Sequence, residues 1–280
     1  MPAISPIPTK EAAKINKRLR KKKQKRVLPV KSPRNVEVKY RKNLLRLVNS
    51  LKRDVRKNIY PLLRMLQPQF TGDAYAEQLA TAFDRLRLNY SAVNVEAQTL
   101  AKSFVEGTNT VNKRQFYSAV EKAVGINVQS IIQSEGLEDA LVATTRENVG
   151  LIKSIPEEYF KKLETIVYNG TTQKSSASSM ISQIQELNGS TTKRAKVIAR
   201  DQTSKLNSAL NQQRQRNLGV EEYIWRTAGD SKVRESHRTK NGKIFRWDNP
   251  PKDTGHPGND IQCRCVPQAI ITSDKKSGSI

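Results

Sequence analysis

The sequence predicts a mainly α fold, with an elongated helical N-terminal and middle region and a small C-terminal α+β module. Three observations predict it. Apolar residues recur every three or four positions through most of residues 36–218. After Gly219 that period gives way to short β-prone runs separated by glycine, proline and asparagine. Finally, the chain's two histidines and two cysteines all fall within one late stretch, "HRTKNGKIFRWDNPPKDTGHPGNDIQCRC".

Residues 1–35 read as a disordered basic arm. "PAISPIPTKEAAK" scatters prolines, and "KRLRKKKQKR" is a block of like charge with little to bury. From Val36 the pattern turns helical. Leu44, Leu47, Val48, Leu51, Val55, Ile59, Leu62, Leu63 and Leu66 form an apolar stripe with a Lys/Arg-rich back, and Pro61 should split it. Leu79, Phe83, Leu86, Tyr90, Val93, Ala97, Leu100 and Phe104 form the next stripe, with Gly107 as its expected stop. Helices follow near 112–124 and 137–149. Another opens at Ser154, with Pro156 in its first turn and Glu157 and Glu158 suiting its dipole. A hydroxyl-rich turn precedes the next helix. Ser190 or Thr191 then caps a long helix that Gly219 ends.

Beyond Gly219, three strand candidates follow: Tyr223–Ile224–Trp225, "KIFRW" after an Asn241-Gly242 turn, and "IQCRCVPQAII". Tyr223, Trp225, Phe245 and Trp247 are the expected core of this module, which spans 219–272, with 273–280 a frayed tail. The helical region is assigned to 36–218 and is expected to mediate protein association, because it lacks a convergent set of His, Cys or paired acids.

The formal net charge is +24, and it is unevenly placed. Residues 1–64 hold 21 Lys/Arg against three acids, and the other 216 residues hold 29 against 23. So concentrated a field attracts polyanions, and double-stranded DNA leads the list. Lys17, Arg18, Arg20, Lys21, Lys22, Lys23, Lys25 and Arg26 are the candidate DNA-binding residues, and the arm's removal is expected to leave the rest folded. No apolar run approaches the roughly 20 residues that span a bilayer, so no membrane partner is expected. Cys263 and Cys265 are too close in sequence for an unstrained disulfide, which fits a reducing cytosol.

Several residues in the last stretch carry a resemblance. Tyr223, Trp225, Asp230, Arg234, His237, Gly242, His256, Pro257, Gly258, Cys263, Arg264 and Cys265 recur in the order of the C-terminal signature of the phage head morphogenesis family, the Mu F-like minor head proteins. "NVGLIKSIPEEYFKKLETIV" and "RAKVIARDQTSKLNSA" are similar to its upstream helices, although Asp201-Gln202 stands where the family often has Thr-Glu. The resemblance covers about residues 140–270. It implies a minor capsid protein of a tailed phage, associated with the portal protein, other head proteins and the genome. Such proteins enter the head during assembly in the host cytoplasm, stay in the virion interior near the portal, and serve packaging or delivery of DNA.

His237, His256, Cys263 and Cys265 match a structural zinc site in number and type. On a strand, the two cysteines would share a face. The competing reading has the thiols in a small core and the histidines hydrogen-bonded to backbone. Either way the cluster is expected to be structural and the chain not an enzyme. The enzymatic rival is a His-Asn-His-like nuclease using His237, Asn241 and His256, which would need a metal to stabilise the phosphorane. A further alternative is an effector carried in the head and ejected. There is no Gly-x-x-x-x-Gly-Lys phosphate loop, so the chain is not the packaging motor.

Overall fold

The structure is a computed structural model that describes residues 25–65, 73–91, 93–125, 127 and 135–271. It is mainly α with a small sheet, as the periodicity predicts. The helices are α1 (Arg34–Asn58), α2 (Tyr60–Met65), α3 (Asp73–Ser91), α4 (Val93–Val124), α5 (Glu138–Thr172), α6 (Ala177–Asn217) and the short α7 (Glu235–Arg238). Strands β1 (Lys25–Arg26), β2 (Glu222–Arg226), β3 (Ile244–Arg246) and β4 (Val266–Ile271) form one antiparallel sheet in the order β1-β4-β2-β3.

Two compact units divide the chain. One draws on Met1–Val36, Val105–Thr144 and Arg200–Ile280, the other on Glu37–Phe104 and Thr145–Ala199. The division therefore does not fall at residue 219. The last part of α6, from Arg200, belongs with the module, because its side chains are what the module's loops bond to.

In the second unit the apolar stripes are core. Leu44, Val48, Leu51 and Val55 of α1 are buried, as are Leu63 of α2, Phe83 and Leu86 of α3, and Ile152, Ile155, Tyr159 and Leu163 of α5. Two tyrosine hydroxyls of this core have partners: Tyr40 donates to Asn148 Oδ1 at 3.0 Å and Tyr159 to Asn188 Oδ1 at 2.8 Å. Pro61 falls at the junction of α1 and α2, as expected from its missing N–H.

Three expected helix boundaries are absent. Gly107 does not stop a helix, and α4 runs through it. A helical glycine costs about 1 kcal/mol, less than burial of Phe104, Val105 and Phe116 returns at roughly 1.5–3 kcal/mol per large side chain. Ser154 does not cap a new helix. Its hydroxyl donates back to the Leu151 carbonyl at 2.8 Å, and Pro156 lies buried inside α5. The interior proline costs about 3 kcal/mol; the buried face Ile152, Ile155, Tyr159, Phe160 and Leu163 outweighs it. Likewise α6 passes Gly189 unbroken, and the Ser190 and Thr191 hydroxyls bond back to the Leu187 carbonyl instead of capping. Gly219 does end α6. Its φ is +71°, and the Gly219 and Val220 N–H groups close on the Arg216 and Gln215 carbonyls in a Schellman arrangement.

The basic arm also needs correction. Residues 25–35 are not free chain. Lys25 and Arg26 pair with Ile271 and Ile270, and Val27 and Val30 are buried with Phe116, Tyr117, Val120, Leu218 and Val220. Val27 and Val30 of the apolar "VLPV" explain this, since they follow the charge block and are buried in one cluster with Ala269 and Ile271 of β4. Lys17, Arg18, Arg20, Lys21, Lys22 and Lys23 lie outside the described residues, as does the 273–280 tail.

Candidate metal centre and basic cleft

The module grows from β2, an inner strand of the sheet. Tyr223 and Trp225 project from one face of it and are completely buried, with Trp247 beside them and Phe245 half-buried. Cys263 and Cys265 complete this cluster. The cysteines are not in a strand: β4 starts at Val266, and the chain before it turns sharply at Gln262, whose φ is +58°. That left-handed residue is held by Asp201 of α6, which accepts its N–H at 2.9 Å.

The "His-Pro-Gly" turn has an equally local cause. Gly258 has φ +92°, and a Cβ there would stand 2.7 Å from Ser208 Cβ and 3.1 Å from the Ser204 carbonyl. No side chain fits against α6. Ser208 Oγ donates to the Pro257 carbonyl, fixing the turn on the helix. The Gly258 N–H, thereby placed, points at Cys263 Sγ at 3.4 Å, and so does the Cys265 N–H at 3.4 Å.

The structure separates the two histidines. His237 sits on α7, buried, with Nδ1 3.4 Å from both Cys263 Sγ and Cys265 Sγ. Its other nitrogen, Nε2, lies 2.7 Å from the Asp260 carboxylate. The donor atoms of His237, Cys263 and Cys265 all lie within 4.8 Å of one another. His256 does not join them. Its Nδ1 meets the Tyr223 hydroxyl at 3.0 Å, its ring packs on Trp247 with centroids 4.8 Å apart, and it hydrogen-bonds the Trp247 backbone. Burial, then the Arg216 charge, lowers its pKa. The four-ligand set read from residue types is therefore a three-donor set, with His256 serving the aromatic core. Asn241 is placed apart as well, accepting the Thr227 N–H at 3.1 Å.

The two thiols shift each other's pKa in opposite directions. Cys263 is pulled below the ordinary thiol range, first by the hydrogen bond from Cys265 and then, against burial, by the Cys265 and Gly258 N–H groups. Cys265 is pushed up by its hydrogen bond with Cys263 and by burial. Trp225 packs edge-on against the His237 ring at 5.4 Å. Among the described residues its buried Nε1 has no hydrogen-bond partner.

All three donor residues line one cavity of about 220 Å³, together with Arg200, Lys232, Arg234, Arg264, Ala228, Val233 and Gln262. Among the described residues, four cations and no acid border it. Arg264 is fixed by a bidentate pair with Asp230 at 2.5 and 2.6 Å, and Arg234 donates to the Ile261 carbonyl at 2.7 Å. Sequence reasoning missed Asp201 and Asp260. Neither has a spacing that marks it, and each acquires its role only once distant loops are brought together.

The residues that build this centre also fall within a recognisable family. Residues 161–268 match the family model described as phage Mu protein F like protein. These residues are phage Mu F-like. The matched stretch takes in the last third of α5, all of α6, β2, β3 and the three donors of the cluster. The chain is also 33% identical over 264 residues to an uncharacterized protein of Haemophilus influenzae, an alignment covering 91% of this chain and 58% of that relative. The chain thus spans little more than half the relative's length. No solved structure matches it. Among the described residues, no helix is long and apolar enough to cross a membrane.

Proposed function

We propose that this chain is a minor head protein of a tailed phage that acts in head morphogenesis, seated beside the portal and the packaged DNA. The observation that carries the reading is the Mu F-like match, which spans the C-terminal signature and the helices leading into it. The charge distribution supports the DNA contact. Lys39, Lys42, Arg46, Arg53, Arg56 and Lys57 lie along α1, none of them buried, and residues 1–24 add eight Lys/Arg against one acid. The helical region, with its apolar stripes, is assigned to association with the portal and other head proteins. Packaging or ejection of the genome would be the process served.

Mass spectrometry of purified procapsids and virions tests this. The chain is expected in both, and its absence from both would overturn the reading. Co-expression with the portal followed by pull-down tests the portal contact. Capture by a fragment of residues 216–280, with none by the full chain lacking that segment, would reassign it.

The DNA contact has its own measurement. Because β1 and Val27 belong to the fold, the deletion to make is 1–24 and not 1–35. It should weaken binding to duplex DNA of any sequence. It should also flatten the dependence of log affinity on log salt by about 0.9 for each phosphate no longer neutralised. Unchanged affinity would remove the arm from the interface.

A further inference from the structure

We propose that Cys263 Sγ, Cys265 Sγ and His237 Nδ1 bind one zinc ion, with its fourth position opening into the basic cleft. The distances fit before any metal enters. Zn–S and Zn–N bonds of about 2.3 and 2.0 Å at tetrahedral angles put sulfur and nitrogen about 3.5 Å apart; both observed Nδ1–Sγ distances are 3.4 Å.

The surroundings are those of a ligand set. Metal-bound histidines hand their second nitrogen to a carboxylate, which fixes the tautomer and the ring. Asp260 does this at His237 Nε2, 2.7 Å away. The same contact excludes Asp260 as a fourth ligand, since Nε2 faces away from the sulfurs. Two backbone N–H groups, of Gly258 and Cys265, point at Cys263 Sγ. Donors gathered at the Cys263 sulfur suit a thiolate, which is what zinc requires.

Among the described residues, no protein group closes the fourth position. His256, the one other histidine in the chain, is committed to Tyr223 and the Trp247 backbone. The three donor residues instead border the cavity that Arg200, Lys232, Arg234 and Arg264 also line. Water fills the position at rest, and the cationic walls suit a phosphate-type oxyanion in its place. The oxygen comes either from free phosphate or from a nucleic-acid backbone.

The test uses the full chain purified without chelator. Elemental analysis should give one zinc per chain, lost in Cys263→Ser and Cys265→Ser. Those variants are open to misfolding, so two others decide. Asp260→Asn should bind zinc about 10–100-fold more weakly while remaining folded. His256→Gln should keep its full equivalent of zinc. A metal-free wild type, an Asp260→Asn protein with unaltered affinity, or loss of zinc in His256→Gln would each overturn the site. Cobalt substitution then reads the open position. A change in the visible bands on adding inorganic phosphate, or only on adding a short DNA duplex, supports it and separates the two sources. Bands that move with neither would show the position closed.

Discussion

The unit built from Glu37–Phe104 and Thr145–Ala199 and the C-terminal module hold themselves together differently. The first is helices with continuous apolar faces. Its core residues repeat within a turn or two of one another, as Leu44, Val48, Leu51 and Val55 do. The module has short strands and one turn of helix, with a core of three large aromatics and two cysteines. Its order comes from single polar contacts between residues far apart in sequence. His237 and Cys265 are 28 apart, Asp201 and Gln262 are 61 apart, and Gln268 donates to the Val27 carbonyl across 241 residues. A helical face tolerates the loss of one residue because its neighbours bury the same stripe. A convergent cluster has no such redundancy.

The largest effect that breaks this comparison should come from Trp225→Ala. The side chain is fully buried and touches both the His237 ring and Phe245. A loss of about 3–5 kcal/mol is expected, concentrated in the module. Both tryptophans of the chain lie there, so the remaining Trp247 fluorescence reads the module while far-UV circular dichroism reads the helices. Fluorescence should change at lower denaturant than ellipticity; coincident transitions would mean the regions unfold as one.

Arg214→Ala should come next. Arg214 is fully buried and pairs with Glu135 through Nε and a terminal nitrogen at 2.9 and 2.8 Å, with Asn109 and Asn112 completing its shell. Removing one partner of a buried pair costs about 3–5 kcal/mol, somewhat less here because the Glu135 side chain retains 11% exposure. Urea melts at neutral pH give the value.

The same pair has a pH signature. Burial raises the Glu135 pKa, but the Arg214 hydrogen bond and charge, with the Tyr117 hydroxyl, outweigh it and leave it lowered. A carboxyl with a depressed folded-state pKa contributes its stability above its ordinary value of 4.5 and loses it as pH falls through the lower folded value. Wild type should therefore lose stability on acidification below about pH 4.5 more steeply than Glu135→Gln, as thermal melts across that range will show.

A smaller loss is expected of Asp201→Ala, which frees the Gln262 N–H at a strained left-handed residue. About 1.5–3 kcal/mol follows from one hydrogen bond to a charged acceptor, again read by fluorescence. Arg264→Ala sits at the bottom. Its partner Asp230 is on the surface, where ion pairs are screened, so the melting temperature should not move measurably.

The helices were legible because a period of 3.6 is local information. The faces of α1, α3 and α5 follow from it, as does the stop at Gly219, where a left-handed residue closes the last carbonyls. The aromatic members of the module, too, follow from residue type, since Trp and Tyr among short β-prone runs have nowhere else to be buried. Continuity through Gly107, Pro156 and Gly189 did not, because a breaker's local cost is overridden by burial against segments distant in sequence. Residue types brought four candidate ligands into view, and only tertiary structure chose among them. His237 meets the sulfurs because α7 lies over Trp225, and His256 does not because Tyr223 takes its nitrogen. The strand pairing of Lys25–Arg26 with β4 was equally invisible from sequence. A composition rich in charge marks a segment as soluble, but whether a sheet edge elsewhere offers it hydrogen bonds is a property of the folded chain.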